Sequence, residues 1–116
     1  MFPPKSKAES LLKHIVLWKL KENAGGASRK ENALELKRRL ENLKSLIPDI
    51  VDLKVGFDFR ERPPSYEVCL DSLFQDAKGL ENYQKHPEHL KVASFVKEVT
   101  SERAAVDYLT NPAISG

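Results

Sequence analysis

The run Leu11 to Lys21, LLKHIVLWKLK, constrains the fold more than any other stretch of the chain. It is rich in β-formers, and strict alternation puts His14, Val16, Trp18 and Leu20 on one face and Ile15, Leu17, Lys19 and Lys21 on the other. The spacing predicts a strand whose first half is apolar on both sides. Such a strand belongs to a sheet that must be covered on both faces, because water on either side would meet Leu and Ile or Val and Trp.

The remaining segments say what could do the covering. Asn23 to Ala27 reads as a flexible Gly-bearing loop, and Ser28 with Glu31 forms a capping-box pair that predicts a helix start. Ala33, Leu36, Leu40, Leu43 and Ile47 then step by three or four residues along one stripe, until Pro48 ends the pattern. The basic residues on the outer side, Lys37, Arg38, Arg39 and Lys44, alternate with glutamates and read as a solvated, paired surface. Val51 to Phe59 predicts a second strand that buries Val51, Leu53, Val55, Phe57 and Phe59, and Arg60 to Ser65 reads as a surface connection. Tyr66 to Phe74 predicts a third strand. From Gln75 a helix carries Ala77, Leu80 and Tyr83 inward, and His86-Pro87 breaks it, since the residue before proline avoids helical geometry and proline favours the first helical position. Leu90, Ala93 or Ser94, and Val96 or Lys97 continue a helical spacing with Phe95 and Val99 adding bulk, and Ala104 to Leu109 reads as a last strand.

Strand, helix, strand, strand, helix, strand is the order of a ferredoxin-like split βαβ, an α+β fold with a four-stranded antiparallel sheet and the helices on one face. The other face still presents Ile15, Leu17 and Cys69. Covering several hundred Å2 of such surface is worth on the order of 10 kcal/mol before the cost of association. The expected solution is a homodimer in which two sheets face each other as a dimeric α+β barrel.

At 116 residues the chain fits one domain, read as a leader over residues 1–10, the fold over 11–110 and a tail over 111–116. The first ten residues lack a signal-peptide pattern, no apolar run reaches membrane-spanning length, and the expected setting is cytoplasmic. Cys69 is the lone cysteine and reads as a packed small hydrophobe. With 19 basic against 17 acidic residues and a net charge of +2, the chain lacks the basic footprint of a nucleic-acid binder.

Titratable chemistry is concentrated in Tyr83-Gln84-Lys85-His86-Pro87-Glu88-His89-Leu90. An imidazole of ordinary pKa can accept a proton at neutral pH, while a tyrosine can donate or orient. His86 and His89 lie three apart beside Glu88, yet no further carboxylate or thiol cluster completes a metal set. No phosphate loop and no nucleophile elbow is present, so neither a metal nor a cofactor is expected. The bland reading keeps His86 as a helix cap, His89 as a first-turn polar group and His14 as a satisfied strand histidine.

HIVLWKLK, LENYQKHPEHL and SERAAVDYL together resemble the first strand, second helix and last strand of the stress-responsive A/B barrel domain (Dabb) family, from about Leu12 to Leu109. The resemblance implies a dimeric barrel and an activity that varies among members. In a branch similar to plant polyketide cyclases, a tyrosine and a histidine of the second-helix segment act on a bound small molecule without a cofactor. By that resemblance they fall on Tyr83 and His89, with the first-strand histidine on His14. A further pocket histidine of that branch is replaced here by Val68, and Trp18, Val68 and His86 are the accompanying candidates for ligand contact. Three functions compete: binding of a small apolar or aromatic molecule in a pocket between sheet and helices, a cyclase-like acid/base reaction at Tyr83 and His89, and a structural stress-associated oligomer. A ligand site requires a cavity of roughly 300 Å3 or more, which a purely structural oligomer does not need.

Overall fold

The computed structural model describes residues 10–60 and 66–111. The leader expected over 1–10, apart from Ser10, lies outside the described residues, as do positions 61–65 of the connection and 112–116 of the tail. The elements are β1 (Leu12–Leu20), β2 (Asn23–Ala24), β3 (Ala27–Ser28), α1 (Arg29–Leu46), β4 (Ile50–Phe57), β5 (Val68–Phe74), α2 (Ala77–Lys85), α3 (Pro87–Val99) and β6 (Thr100–Leu109). β4, β5, β1 and β6 form, in that order, a four-stranded antiparallel sheet, the expected ferredoxin-like arrangement.

β1 is central and alternates as its sequence requires, with every second residue from Leu12 to Leu20 buried. Its buried face meets Leu36, Leu40 and Leu43 of α1, Leu80 and Tyr83 of α2, and Val92 of α3 in one core. Opposed residues of paired antiparallel strands share a face, so His14 stands between Ser72 and Asp107, and Trp18 between Val68 and Arg103. The other face carries Ile15 beside Val106, Leu17 between Cys69 and Ala104, and Lys13 between Leu73 and Tyr108. No helix among the described residues covers that side, and Val106 and Tyr108 remain about half exposed.

α1 starts on the predicted capping box, with Ser28 Oγ accepting from the Glu31 amide and Glu31 Oε1 accepting from the Ser28 amide. The loop expected before it is instead a small hairpin of β2 and β3. Gly25 and Gly26 both have positive φ, the combination a tight two-residue turn requires, and Asn32 donates to the Ala24 carbonyl.

β4 departs from its predicted alternation. Only Leu53 and Val55 of the expected set are buried, and Ile50 takes the place of Val51. A register shift between Ile50 and Asp52 leaves Val51 without a partner residue in β5, so it turns outward. Phe57 lies at the strand's end with Lys37 Nζ 5.9 Å from its ring centroid, and Phe59 falls beyond the strand at 89% exposure. Leu90 is also turned out, because the inward side of α3 passes through Val92 and Val99. β6 begins at Thr100, directly after α3, four residues earlier than the apolar pattern suggested.

Candidate functional site

The break at His86-Pro87 assembles the site. In a continuous α-helix, residues six apart point about 120° away from each other and are displaced by about 9 Å along the axis. Here α2 ends at His86, whose backbone is extended (φ −66°, ψ 137°), and α3 restarts at Pro87 in a new direction. Tyr83 and His89 consequently face each other, with ring centroids 4.5 Å apart and planes tilted by 55°. His86 is spent on the junction itself, its Nδ1 accepting from the Glu88 amide at 3.0 Å.

Under these rings, β1 contributes His14. Its centroid lies 6.4 Å from Tyr83 and 6.4 Å from Phe74, edge to face in both cases. Ser72 Oγ donates to the His14 carbonyl at 2.7 Å and fixes the strand there. Asp107 Oδ1 lies 2.6 Å from His14 Nδ1. A carboxylate accepts, so Nδ1 carries the hydrogen, and in the neutral tautomer that this contact selects the lone pair is at Nε2.

These side chains line a cavity of about 320 Å3 between sheet and helices. His14, Val16, Trp18 and Leu70 form its floor, Tyr83 and His89 its helix wall, and Lys97 and Arg103 belong to its lining as well. Three enclosed polar atoms, Trp18 Nε1, Tyr83 Oη and His89 Nδ1, have no hydrogen-bond partner among the described residues. All three belong to cavity-lining residues. Leaving a buried polar group unpaired costs about 1–3 kcal/mol, and three around one cavity amount to an uncommon concentration of unmet hydrogen-bonding capacity.

Burial pushes the Tyr83 phenol well above its ordinary range, so at neutral pH it keeps its proton and serves as a hydrogen-bonding hydroxyl, not as a base. Burial also holds the His89 imidazole below 6.5; the Gln84 backbone carbonyl pulls against this, while His14 and His86 act with it. The result is a protonated phenol in contact with an imidazole that is neutral at physiological pH, a donor beside an acceptor. No group of three or more His, Cys, Asp or Glu side chains capable of holding a metal occurs among the described residues.

The structure therefore brings Tyr83, His89, His14 and Trp18 together at one cavity, as the sequence suggested. It does not bring Val68 or His86 to it. Val68 is packed in the core beside Trp18 at 1% exposure, and His86 is turned to the helix junction. Asp107 and Arg103 were missed by sequence reasoning. The only local signal was a pair of opposite charges four apart, Arg103 and Asp107, which alternation puts on one face with Ala105 between them.

The model of the stress responsive A/B barrel domain family matches residues 12–110. An uncharacterized protein from Streptomyces coelicolor is 28% identical over 82 residues, spanning 68% of this chain and 79% of that one. Among solved structures, a dimeric protein of unknown function and ferredoxin-like fold from Bacteroides fragilis superposes with a TM-score of 0.74 at 29% identity, over 84% of this chain and 94% of that one. The hydroxynitrile lyase of Passiflora edulis superposes with a TM-score of 0.77 at 17% identity, over 92% of this chain and 99% of the lyase. At that identity the likeness is one of fold.

Proposed function

Because this chain belongs to the stress responsive A/B barrel domain family, we propose that it works as a homodimer that binds a small, largely apolar or aromatic molecule in the cavity between sheet and helices. The observation that carries this reading is the set of three enclosed, unpartnered polar atoms on the cavity-lining residues Trp18, Tyr83 and His89. A ligand with an apolar body and a polar group toward each end would satisfy them while its body meets Val16, Leu40 and Leu70. The homodimer is supported by the uncovered apolar sheet face and by the dimeric state of the Bacteroides fragilis relative. No helix among the described residues is long and apolar enough to cross a membrane.

A second reading, cofactor-independent proton transfer on the bound molecule, is favoured by the His14–Asp107 contact at 2.6 Å. A carboxylate behind an imidazole fixes the tautomer and supports the positive charge formed when Nε2 takes a proton. In this reading Tyr83 donates to the ligand's oxygen, and His89 or His14 accepts the proton.

The test is a screen of small aromatic aldehydes, ketones and phenols against the protein, followed through the ring resonances of His14 and His89 by NMR. Binders should move both histidines together. Tyr83→Phe should weaken them by about tenfold while leaving thermal stability unchanged or slightly raised, since the lost hydroxyl has no protein partner. The reading fails if no compound moves the two histidines, or if Tyr83→Phe lowers stability by about 1–3 kcal/mol, as loss of a satisfied buried hydrogen bond would. Among confirmed binders, conversion that vanishes in His89→Gln would establish turnover, and binding without conversion would leave the protein a binder.

A further inference from the structure

We propose that the ligand of this cavity is an organic anion, an aromatic or alkyl carboxylic acid whose carboxylate lies between Arg103 and Lys97; this rests on the reading of the cavity as a ligand site. The two cations reach the cavity lining from different layers, Arg103 from the sheet strand β6 and Lys97 from the last turn of α3. Neither makes an ion pair or side-chain hydrogen bond among the described residues. Many lysines elsewhere are engaged, such as Lys13 with Asp71, Lys37 with Glu41, Lys44 with Asp52 and Lys85 with Glu81, although Lys21 and Lys30, which do not line the cavity, are also without an ion pair among the described residues.

The second observation is Trp18. It stands directly opposite Arg103 in the β1–β6 register, on the same face of the sheet, is only 5% exposed, and its indole N–H has no partner. One end of the cavity thus gathers three strong donors, a guanidinium fork, an ammonium and an indole N–H, beside the Thr100 hydroxyl, which itself donates to the Val96 carbonyl. A carboxylate accepts from all three kinds, and the planar fork of arginine can hold it by two parallel bonds. A neutral ligand would leave the two exposed cations to water and draw no charge-assisted bond from either.

The opposite end is chemically different. His14, four residues from Trp18 along β1 and so about 13 Å away, is backed by the Asp107 carboxylate and faces Tyr83. A second anionic group there would meet Asp107. The cavity is therefore polar in one direction, with the carboxylate at the Trp18 end and the body of the molecule running toward His14 and Tyr83.

Trp18 is the sole tryptophan, so its fluorescence reports on this end directly. The probes are ω-phenylalkanoates from phenylacetate to 6-phenylhexanoate, the matching primary amides, and the matching phosphate monoesters of the phenylalkanols. Carboxylates should quench Trp18 at concentrations about tenfold lower than their amides, with a preference that falls as salt is raised. In Arg103→Gln and in Lys97→Gln, both at exposed positions, the ratio of acid to amide affinity should collapse toward one. Equal binding of acid and amide by the unaltered protein, or an undiminished ratio in both variants, overturns the carboxylate assignment while leaving the cavity reading intact. Tighter binding of the phosphate esters than of the acids overturns the choice of carboxylate. Absence of any response at Trp18 and at the His89 ring to acids, amides and phosphates alike overturns both.

Discussion

His89 carries the clearest electrostatic signature of the site. Burial lowers its pKa from 6.5, so the folded protein resists a proton that the unfolded chain takes readily. Above pH 6.5 both forms are neutral and the folded state keeps its full stability. As the pH falls below 6.5 the unfolded chain is protonated first, and stability is lost until the pH has passed the depressed folded value. Urea unfolding at about pH 7.5 and about pH 5.5 should therefore show a lower midpoint at the acid value, and His89→Gln should shrink that difference. The carboxylates do not confuse this window: Glu35, for instance, is pulled from 4.5 to about 2 by Arg38 and Arg39 and titrates below it. An equal acid loss in the variant would place the effect elsewhere.

At the level of elements, the α2–α3 junction was legible because its causes are local. Proline fixes its own φ and constrains the residue before it, and the three residues around Pro87 suffice to predict a break. His86 as the cap of α3 makes its own prediction: His86→Ala should cost about 1 kcal/mol in urea unfolding, and His86→Asn, with a side-chain acceptor of its own, should recover most of that. Ligand affinity should change little in either variant if the junction keeps its shape. Residues whose placement depends on distant partners were less legible. Val51 was misassigned because the register shift beside it is set by pairing with β5, and Phe57 and Phe59 because alternation does not say where cover ends. Asp107 was invisible for the same reason: its contact with His14 depends on which strand lies beside β1 and in what register. Tyr83 and His89 could be named together from sequence; the cations and the carboxylate around them required the folded sheet.

For the whole molecule, the governing feature is the sheet face that no helix among the described residues covers. Ile15 and Val106 sit side by side on it, with Leu17 and Ala104 next in line. In the proposed homodimer this strip would be buried, and Val106→Glu would place an unpaired carboxylate there. Sedimentation equilibrium should show the dimer weakened by about a hundredfold or more, whereas an unchanged association constant would move the interface to another surface. The same chain also carries a built-in ruler. α3 ends at Val99 and β6 starts at Thr100, with no linker residue to absorb a change in length. One inserted residue would either turn every β6 side chain to the opposite face, taking Arg103 and Asp107 away from the cavity together, or swing α3 by about 100° and carry Lys97 and His89 off with it. The stretch from His89 to Asp107 can thus change its letters far more freely than its length.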